Sequence, residues 1–346
     1  MKILALDLGK FKTVSCTYGH GEPRFNTVAT GRQEFAELLR AEQPEVVVFE
    51  TCTAAGWVAD LCEELGYGCL VANPNGEAWR WSTIKRKTDR DDALKLARMT
   101  ASHELPTVHV PSRSVRARRS LLKFRQSIVS HRVSVQNEIR ALWQAQGLAQ
   151  LPPGAATWTR AGMQLLREQS RPLSDCAAEE LWRGQLGLLV QSLEQAREQE
   201  KELDQKLDAL AGQDPAVQRL LTIRGVGRCT AEVICAWIDD PRRFHNGRQV
   251  SSYAGLVPVQ YQSGQSDRRG RITKHGSRLL RKTLVECAWL MLRYNPWAIR
   301  IVQQISKGQK TRKKQAVVAL ARKLLVRCWA MLRDGTDWRP EPSPAT

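Results

Sequence analysis

Several features that would define the chain at once are missing. No eighteen consecutive apolar residues occur among its 346 positions, which excludes a membrane span. The nine cysteines (16, 52, 62, 69, 176, 229, 235, 287 and 328) are odd in number, scattered and never spaced Cys-x-x-Cys. That speaks against a disulfide framework and a zinc site, and makes a reducing compartment the default. The opening Lys2–Asp7 stretch has an acid at position 7 and no small-residue cleavage site, so it reads as a strand and not as a signal peptide. Acids are scarce: 35 Asp+Glu face 53 Lys+Arg, a formal charge of +18. The rest, 42% hydrophobic and 25% charged, is ordinary globular composition over a length that predicts two or three domains.

The charge is uneven. Residues 1–106 hold 13 basic and 15 acidic side chains, whereas the remaining 240 hold 40 and 20. A neutral front and a basic body suggest chemistry in one part and a polyanion, nucleic acid before a membrane surface, held by the other.

Hydrophobic patterning divides the chain. Residues 2–8, 12–17 and 24–28 read as three strands, the last two joined through His20-Gly21-Glu22-Pro23. Then helices over 32–39, 54–65 and 89–101 alternate with strands over 45–49 and 68–72. Three strands followed by alternating helix and strand predict a mixed α/β sheet of the ribonuclease-H-like order. From Ser112 the pattern changes to heptads, with Leu121, Ile128, Val135 and Leu142 on one long helix and Leu186, Leu189, Leu193, Ala196, Leu203, Leu207 and Leu210 on another. These predict two coiled-coil arms separated by Leu151-Pro152-Pro153-Gly154. Arg113, Arg116, Arg118, Arg119, Lys123, Arg125, Arg132 and Arg140 decorate the first arm, whose helical pattern holds one acid, Glu138, and this favours contact with a polyanion over a merely solvated face. From Pro215, a short helix, an Ile223–Gly227 turn and a second helix over 230–237 have helix-hairpin-helix spacing. Gly225 and Gly227 would there aim backbone N–H groups at a phosphate, unless the glycines only make a plain connection. The expected domains are 1–111, 112–214 and 215–335, followed by a frayed, Pro-rich tail over 336–346.

Four acids stand out by placement. Asp7 ends the first strand and Glu50 the fourth, and Asp89 and Asp92 lie three apart at the start of a helix, projecting from one face. Strand-end carboxylates facing a helical carboxylate pair are what a two-metal phosphoryl-transfer site needs, because Mg²⁺ prefers hard oxygen ligands. Lys85, Arg86 and Lys87 would hold a nucleic-acid backbone nearby. Taken singly, the helical acids are also ordinary N-terminal cap residues. In a second constellation, Ser263 precedes Gly264 in a polar loop and is followed by Arg268, Arg269, Arg271, Lys274, His275, Arg278, Arg281 and Lys282, with Asp267 the sole acid in the stretch. A serine beside cations can attack phosphorus, the cations stabilising the developing charge. Equally, a Ser-Gly turn with basic residues merely grips phosphates.

These blocks, in their order and spacing, resemble the insertion-sequence-110 family of DEDD transposases, relatives of the Piv site-specific DNA invertase. ALDLGK around Asp7, VVVFET around Glu50 and KTDRDDALKLA around Asp89 and Asp92 resemble its RuvC-like domain. LLTIRGVGRCTAEVICAWI, FHNGRQVSSYAGLVPVQYQSG and GRITKHGSRLLRKTL resemble its transposase domain. The resemblance implies Asp7, Glu50, Asp89 and Asp92 as Mg²⁺ ligands and Ser263 as a nucleophile forming a covalent phosphoserine link to DNA. It implies recombination of target and donor DNA guided by a structured bridge RNA, in the cytoplasm of a prokaryote at its nucleoid. It also implies composite sites formed when the acidic domain of one protomer meets Ser263 of another in a homo-oligomer, a dimer or tetramer. One departure stands after Glu50, where the family often has a Thr-Gly turn and Thr51-Cys52-Thr53-Ala54-Ala55 delay the glycine to Gly56. Three other readings remain open: a junction-resolving nuclease using water, a non-catalytic nucleic-acid-binding protein, and an actin-like phosphotransferase prompted by Asp7-Leu8-Gly9.

Overall fold

The computed structural model describes residues 1–19, 21–73, 88–263 and 266–339; of the side chains of Ser266, Asp267 and Arg269 nothing is described. The chain divides into two compact units, Met1–Arg116 and Ala117–Thr346. Among the described residues no helix is long and apolar enough to cross a membrane.

The first unit is built on a five-stranded mixed sheet, β3-β2-β1-β4-β5, from β1 (Ile3–Leu8), β2 (Lys12–Tyr18), β3 (Arg24–Ala29), β4 (Val46–Glu50) and β5 (Cys69–Ala72). β1 pairs antiparallel with β2 and parallel with β4. As the central strand it must bury both faces, which is why its sequence is a continuous apolar run. β3 is an edge strand whose Arg24 and Asn26 face water, as an unpaired edge favours.

Alternation along the central strands sends odd and even positions to opposite faces. Leu4, Leu6, Val47 and Phe49 pack on α1 (Arg32–Glu42) and α2 (Ala55–Glu64) through Phe35, Leu38, Val58 and Leu61. Ile3, Ala5 and Val48 pack on the other side against Ala93, Leu96 and Ala97 of α3 (Asp89–Ala101). The strands and helices expected in this part of the sequence all form.

Among the described residues the second unit is helical apart from one hairpin. α4 (Arg113–Ala145), which starts in the first unit, and α6 (Leu181–Gly212) are long helices flanking α5 (Arg160–Gln169). Val135, Ile139 and Trp143 of α4 pack with Met163 and Leu166 of α5 and with Leu186, Val190 and Leu193 of α6. On α4 the fully buried stripe moves from Val135 to Ile139 and Trp143, leaving the expected Leu142 only partly covered. A straight helix turns every 3.6 residues, so a stripe on it drifts off a strict seven-residue repeat.

α7 (Pro215–Leu221), α8 (Arg228–Ile238), α9 (Gly247–Tyr253), α10 (Arg278–Met291), α11 (Pro296–Ser306) and α12 (Lys313–Asp334) share one core. α12 sits at its middle, burying Val317, Leu320, Leu324, Leu325 and Trp329. Between α9 and α10 the chain forms an antiparallel ribbon of β6 (Pro258–Ser263) and β7 (Ser266–Ile272). The polar sequence around Ser263 predicts a loop, and the structure forms a strand pair there instead. Most of the ribbon's residues are polar, and the alternation in β6 is confined to Val259 and Tyr261, too short a pattern to mark a strand.

Candidate functional site

Asp7 and Glu50 come from neighbouring parallel strands. The pairing of β1 with β4 runs to Leu6↔Phe49, so the two acids follow side by side at the carboxyl ends of adjacent strands. Strand alternation puts both on the face that α3 covers, since they share parity with Ile3, Ala5 and Val48. Asp92 is buried and lies one turn before Leu96, on the side of α3 that meets the sheet; Asp89 is exposed at the helix start.

The capping role falls to other residues. Thr88 caps α3, its hydroxyl accepting from the Asp91 backbone N–H at 3.2 Å and donating to the Asp91 carboxylate at 2.6 Å. Lys85, Arg86 and Lys87 lie outside the described residues.

The chemistry of this donor set suits Mg²⁺, being hard carboxylate oxygen throughout. Among the described residues no three His, Cys, Asp or Glu side chains form a ready-made metal cluster. Mg²⁺ does not require one, since it commonly binds through one or two carboxylates, its own waters and substrate phosphates. The late glycine after Glu50 has a local role. Gly56 lies in α2, and a Cβ there would stand 2.7 Å from Arg116 Nε. Arg116 passes over this gap to pair with Asp60 and to donate to the Pro111 carbonyl.

Ser263 is the last residue of β6, exposed beside the turn of the ribbon and paired in register with Ser266. Tyr261, two residues earlier, pairs in register with Arg268. Cross-strand partners share a face, and so do residues two apart, so Ser263, Tyr261 and Arg268 look out from one side of the ribbon. Tyr261 is exposed and was not singled out from the sequence; a two-residue step from the serine was the only available signal. Its ring lies close to Gly270, where a Cβ would stand 3.3 Å from Tyr261 Cε2. Arg271 and Lys274 are exposed, and of the Arg269 side chain nothing is described.

The base of the ribbon is clamped by backbone contacts. A Cβ on Gly255 would fall 2.2 Å from the His275 carbonyl oxygen, and one on Gly276 would fall 2.1 Å from that of Tyr253. Arg281 donates to the carbonyls of Ala254, His275 and Gly276, so it holds this clamp.

The glycines of the Ile223–Gly227 turn are held from behind. Gly225 has φ +99° and a Cβ there would be 2.9 Å from Met291 Cγ. Asn295 Nδ2 donates to the Arg224 carbonyl at 2.8 Å and the Cys287 thiol to that of Gly225 at 3.4 Å. Gly227 precedes α8 as its N-cap.

The first-arm arginines are largely engaged inside the protein. Arg118 pairs with Asp214 and Glu232, Arg125 with Asp204 and Glu200, and Arg132 with Glu200. Arg119 donates to the carbonyls of Ala236 and Trp237, and Arg140 to that of Gly154. Their partners come from distant parts of the sequence, so the scarcity of acids on the arm itself is a poor guide to what its arginines meet. Arg113 and Lys123 are exposed.

Comparison with known proteins bears on both units. Residues 217–303 match the model described as "Transposase IS116/IS110/IS902 family", and residues 4–145 match a model described as "Transposase" and named for the DEDD transposases of IS110. The "Transposase for insertion sequence element IS1328" of Yersinia enterocolitica is 27% identical, over 96% of this chain and 97% of its own length. "Putative transposase y4rJ" of Sinorhizobium fredii is 28% identical, over 96% of this chain and 91% of its own. The "Pilin gene-inverting protein" of Moraxella lacunata is 35% identical over a shorter stretch, 33% of this chain and 36% of its own.

Proposed function

From the premise that this chain belongs to the IS110 family of insertion-sequence transposases, we propose that it cuts and rejoins DNA through a phosphoserine intermediate. In that reaction Ser263 Oγ attacks phosphorus. The Oγ–P bond forms, the bond to one deoxyribose oxygen breaks, the serine proton passes to a base, and the departing sugar oxygen gains a proton. Each strand transfer conserves the number of phosphodiester bonds, so rejoining needs no external energy source. Asp7, Glu50, Asp89 and Asp92 are the residues that would hold one or two Mg²⁺. When bound, the ion would supply Lewis-acid stabilisation of charge on the phosphate.

The observation that carries this reading is the shared placement of Asp7, Glu50 and Asp92 on the α3 face of the sheet. Support for the serine comes from its exposure on one ribbon face with Tyr261 and Arg268. The basic second unit would grip phosphates without regard to sequence, and a structured guide RNA would supply sequence choice by base pairing. A homo-oligomer would bring the acids of one protomer to the serine of another. The proposed domains are a RuvC-like domain over 1–111, a coiled-coil region over 112–214 and a transposase domain with a helix-hairpin-helix over 215–335.

The test is Ser263→Ala. It should abolish covalent protein–DNA product, detected as a nuclease-resistant shift in denaturing gels, while leaving nucleic-acid binding in place. Persistence of the adduct excludes Ser263; cleaved DNA with unattached ends in the wild-type reaction points to water as the nucleophile.

A further inference from the structure

We propose that a cleft between α4 and α10 is a track for a phosphodiester backbone, leading along the protein surface to the base of the β6–β7 ribbon. The cleft has a volume of about 640 Å³ and is lined by Lys123, Gln126 and Ser130 of α4, by Arg278 and Lys282 of α10, and by Trp237. A neighbouring hollow of about 450 Å³ shares Arg278 and Lys282 and reaches Ile272 and Lys274, where β7 ends. Together they make a continuous cationic path, and among the described residues Glu286 is the only acid on either wall.

The geometry of α4 separates this path from the internal ion pairs. Arg118, Arg125 and Arg132 recur every seven residues on the side that meets acids from α6 and α8. Lys123, Gln126 and Ser130 recur at three and four on another side. Among the described residues neither Lys123 nor Arg278 has an ion-pair partner, and Lys282 makes only an exposed contact to Glu286 at 3.8 Å. Such a surface pair contributes little and leaves the ammonium available. Ser277 caps α10, its hydroxyl accepting from the Leu280 N–H at 3.2 Å, so the positive end of a fourteen-residue helix opens beside Arg278. Trp237 and Leu279 line the cleft, and Leu256, Ile272 and Val285 the hollow, while the cations, hydroxyls, the Gln126 amide and a helix N-terminus set along them suit an anionic backbone. The path also lies on the same segment as Ser263, entering its ribbon from the base, and in assigning the held strand as the one to be attacked it rests on the recombinase reading.

The experiment compares the wild-type protein with Lys123→Gln/Arg278→Gln and, as a charge-matched control, Lys201→Gln/Lys206→Gln, on exposed lysines of α6. Binding of a labelled DNA duplex and of a labelled RNA hairpin is measured over a salt series, with thermal melts to verify folding. Losing two phosphate contacts should lower the slope of log K against log salt by about 1.8, equivalent to roughly 60-fold weaker binding at 0.1 M salt. The control should stay near wild type. Weakened binding of the DNA duplex supports the track, and a loss confined to the RNA hairpin overturns it as the path of the attacked strand. Equal losses in the two double variants, or wild-type binding by Lys123→Gln/Arg278→Gln, overturn it. Absence of a covalent DNA adduct with wild-type protein would instead overturn the recombinase reading and leave the track standing on its binding data.

Discussion

At the scale of single residues, the second unit is held by a charged lattice that looks like a binding surface in the sequence. Arg228 meets Asp204 and Asp208 on α6 and Glu232 on its own helix, and Arg118 and Arg125 reach into the same group from α4. Glu232 is fully buried, and burial pushes its carboxyl up while Arg228 and Arg118 oppose the shift. Asp204 behaves the other way. The hydrogen bonds from Arg125 at 2.7 and 3.0 Å, with Arg228 adding to them, hold its carboxyl below the ordinary 3.8. A carboxylate depressed in the folded state contributes stability above its unfolded pKa and loses that contribution as pH falls through the folded value. Asp204→Asn should therefore cost about 2 kcal/mol at neutral pH. Urea unfolding followed below pH 3.8 should show the wild type losing this margin and the variant missing that part of the slope. An unchanged slope would mean that Asp204 is not coupled to the arginines.

Among the elements, the β6–β7 ribbon depends most on positions that carry no side chain. Gly255 has φ +63° and Gly276 φ +73°, and at each a Cβ would run into backbone and not into a movable side chain. The Lys274 N–H donates to the Gly255 carbonyl at 3.1 Å and the Thr273 N–H to that of Val257 at 2.9 Å, so the two ends of the ribbon are laced together where it leaves the core. Gly255→Ala should cost at least about 1–2 kcal/mol for the left-handed backbone alone, with the clash against His275 added. Denaturant unfolding would read that loss. Adduct formation under conditions where the variant remains folded should fall with it, because the clamp sets how the Ser263 ribbon is carried. Full adduct yield from folded Gly255→Ala would separate the clamp from the chemistry.

Over the whole molecule, charge and carboxylates separate. The first unit, Met1–Arg116, has 15 basic and 15 acidic residues, so the second carries the entire +18. Removing the four candidate ligands should thus leave the phosphate grip intact. Alanine at Asp7, Glu50, Asp89 and Asp92 together should reduce DNA cleavage by at least roughly a hundred-fold, with duplex affinity in a gel-shift titration close to that of the wild type. Unchanged activity in that variant would favour a purely binding role for the chain.

The α/β front of the chain could be read from its residues because local physics was enough. Residues 2–8 are an apolar run bounded by Gly9 and residues 45–49 repeat the pattern, so both read as strands with Asp7 and Glu50 as strand-terminal acids, while the central place of the first is a matter of pairing. The heptads likewise marked α4 and α6 as long helices. Pairings across 79 residues for Arg125 and Asp204, or 114 for Arg118 and Glu232, have no local signature, and only tertiary structure decided that those arginines are occupied while Lys123 and Arg278 face open space. The same holds for the strand under Ser263. Its polar residues carry no burial pattern, and the ribbon is set by backbone pairing and by glycines that must fit against a neighbouring main chain. Short-range periodicity specifies an element, but which charges neutralise one another is settled only when distant segments fold into contact.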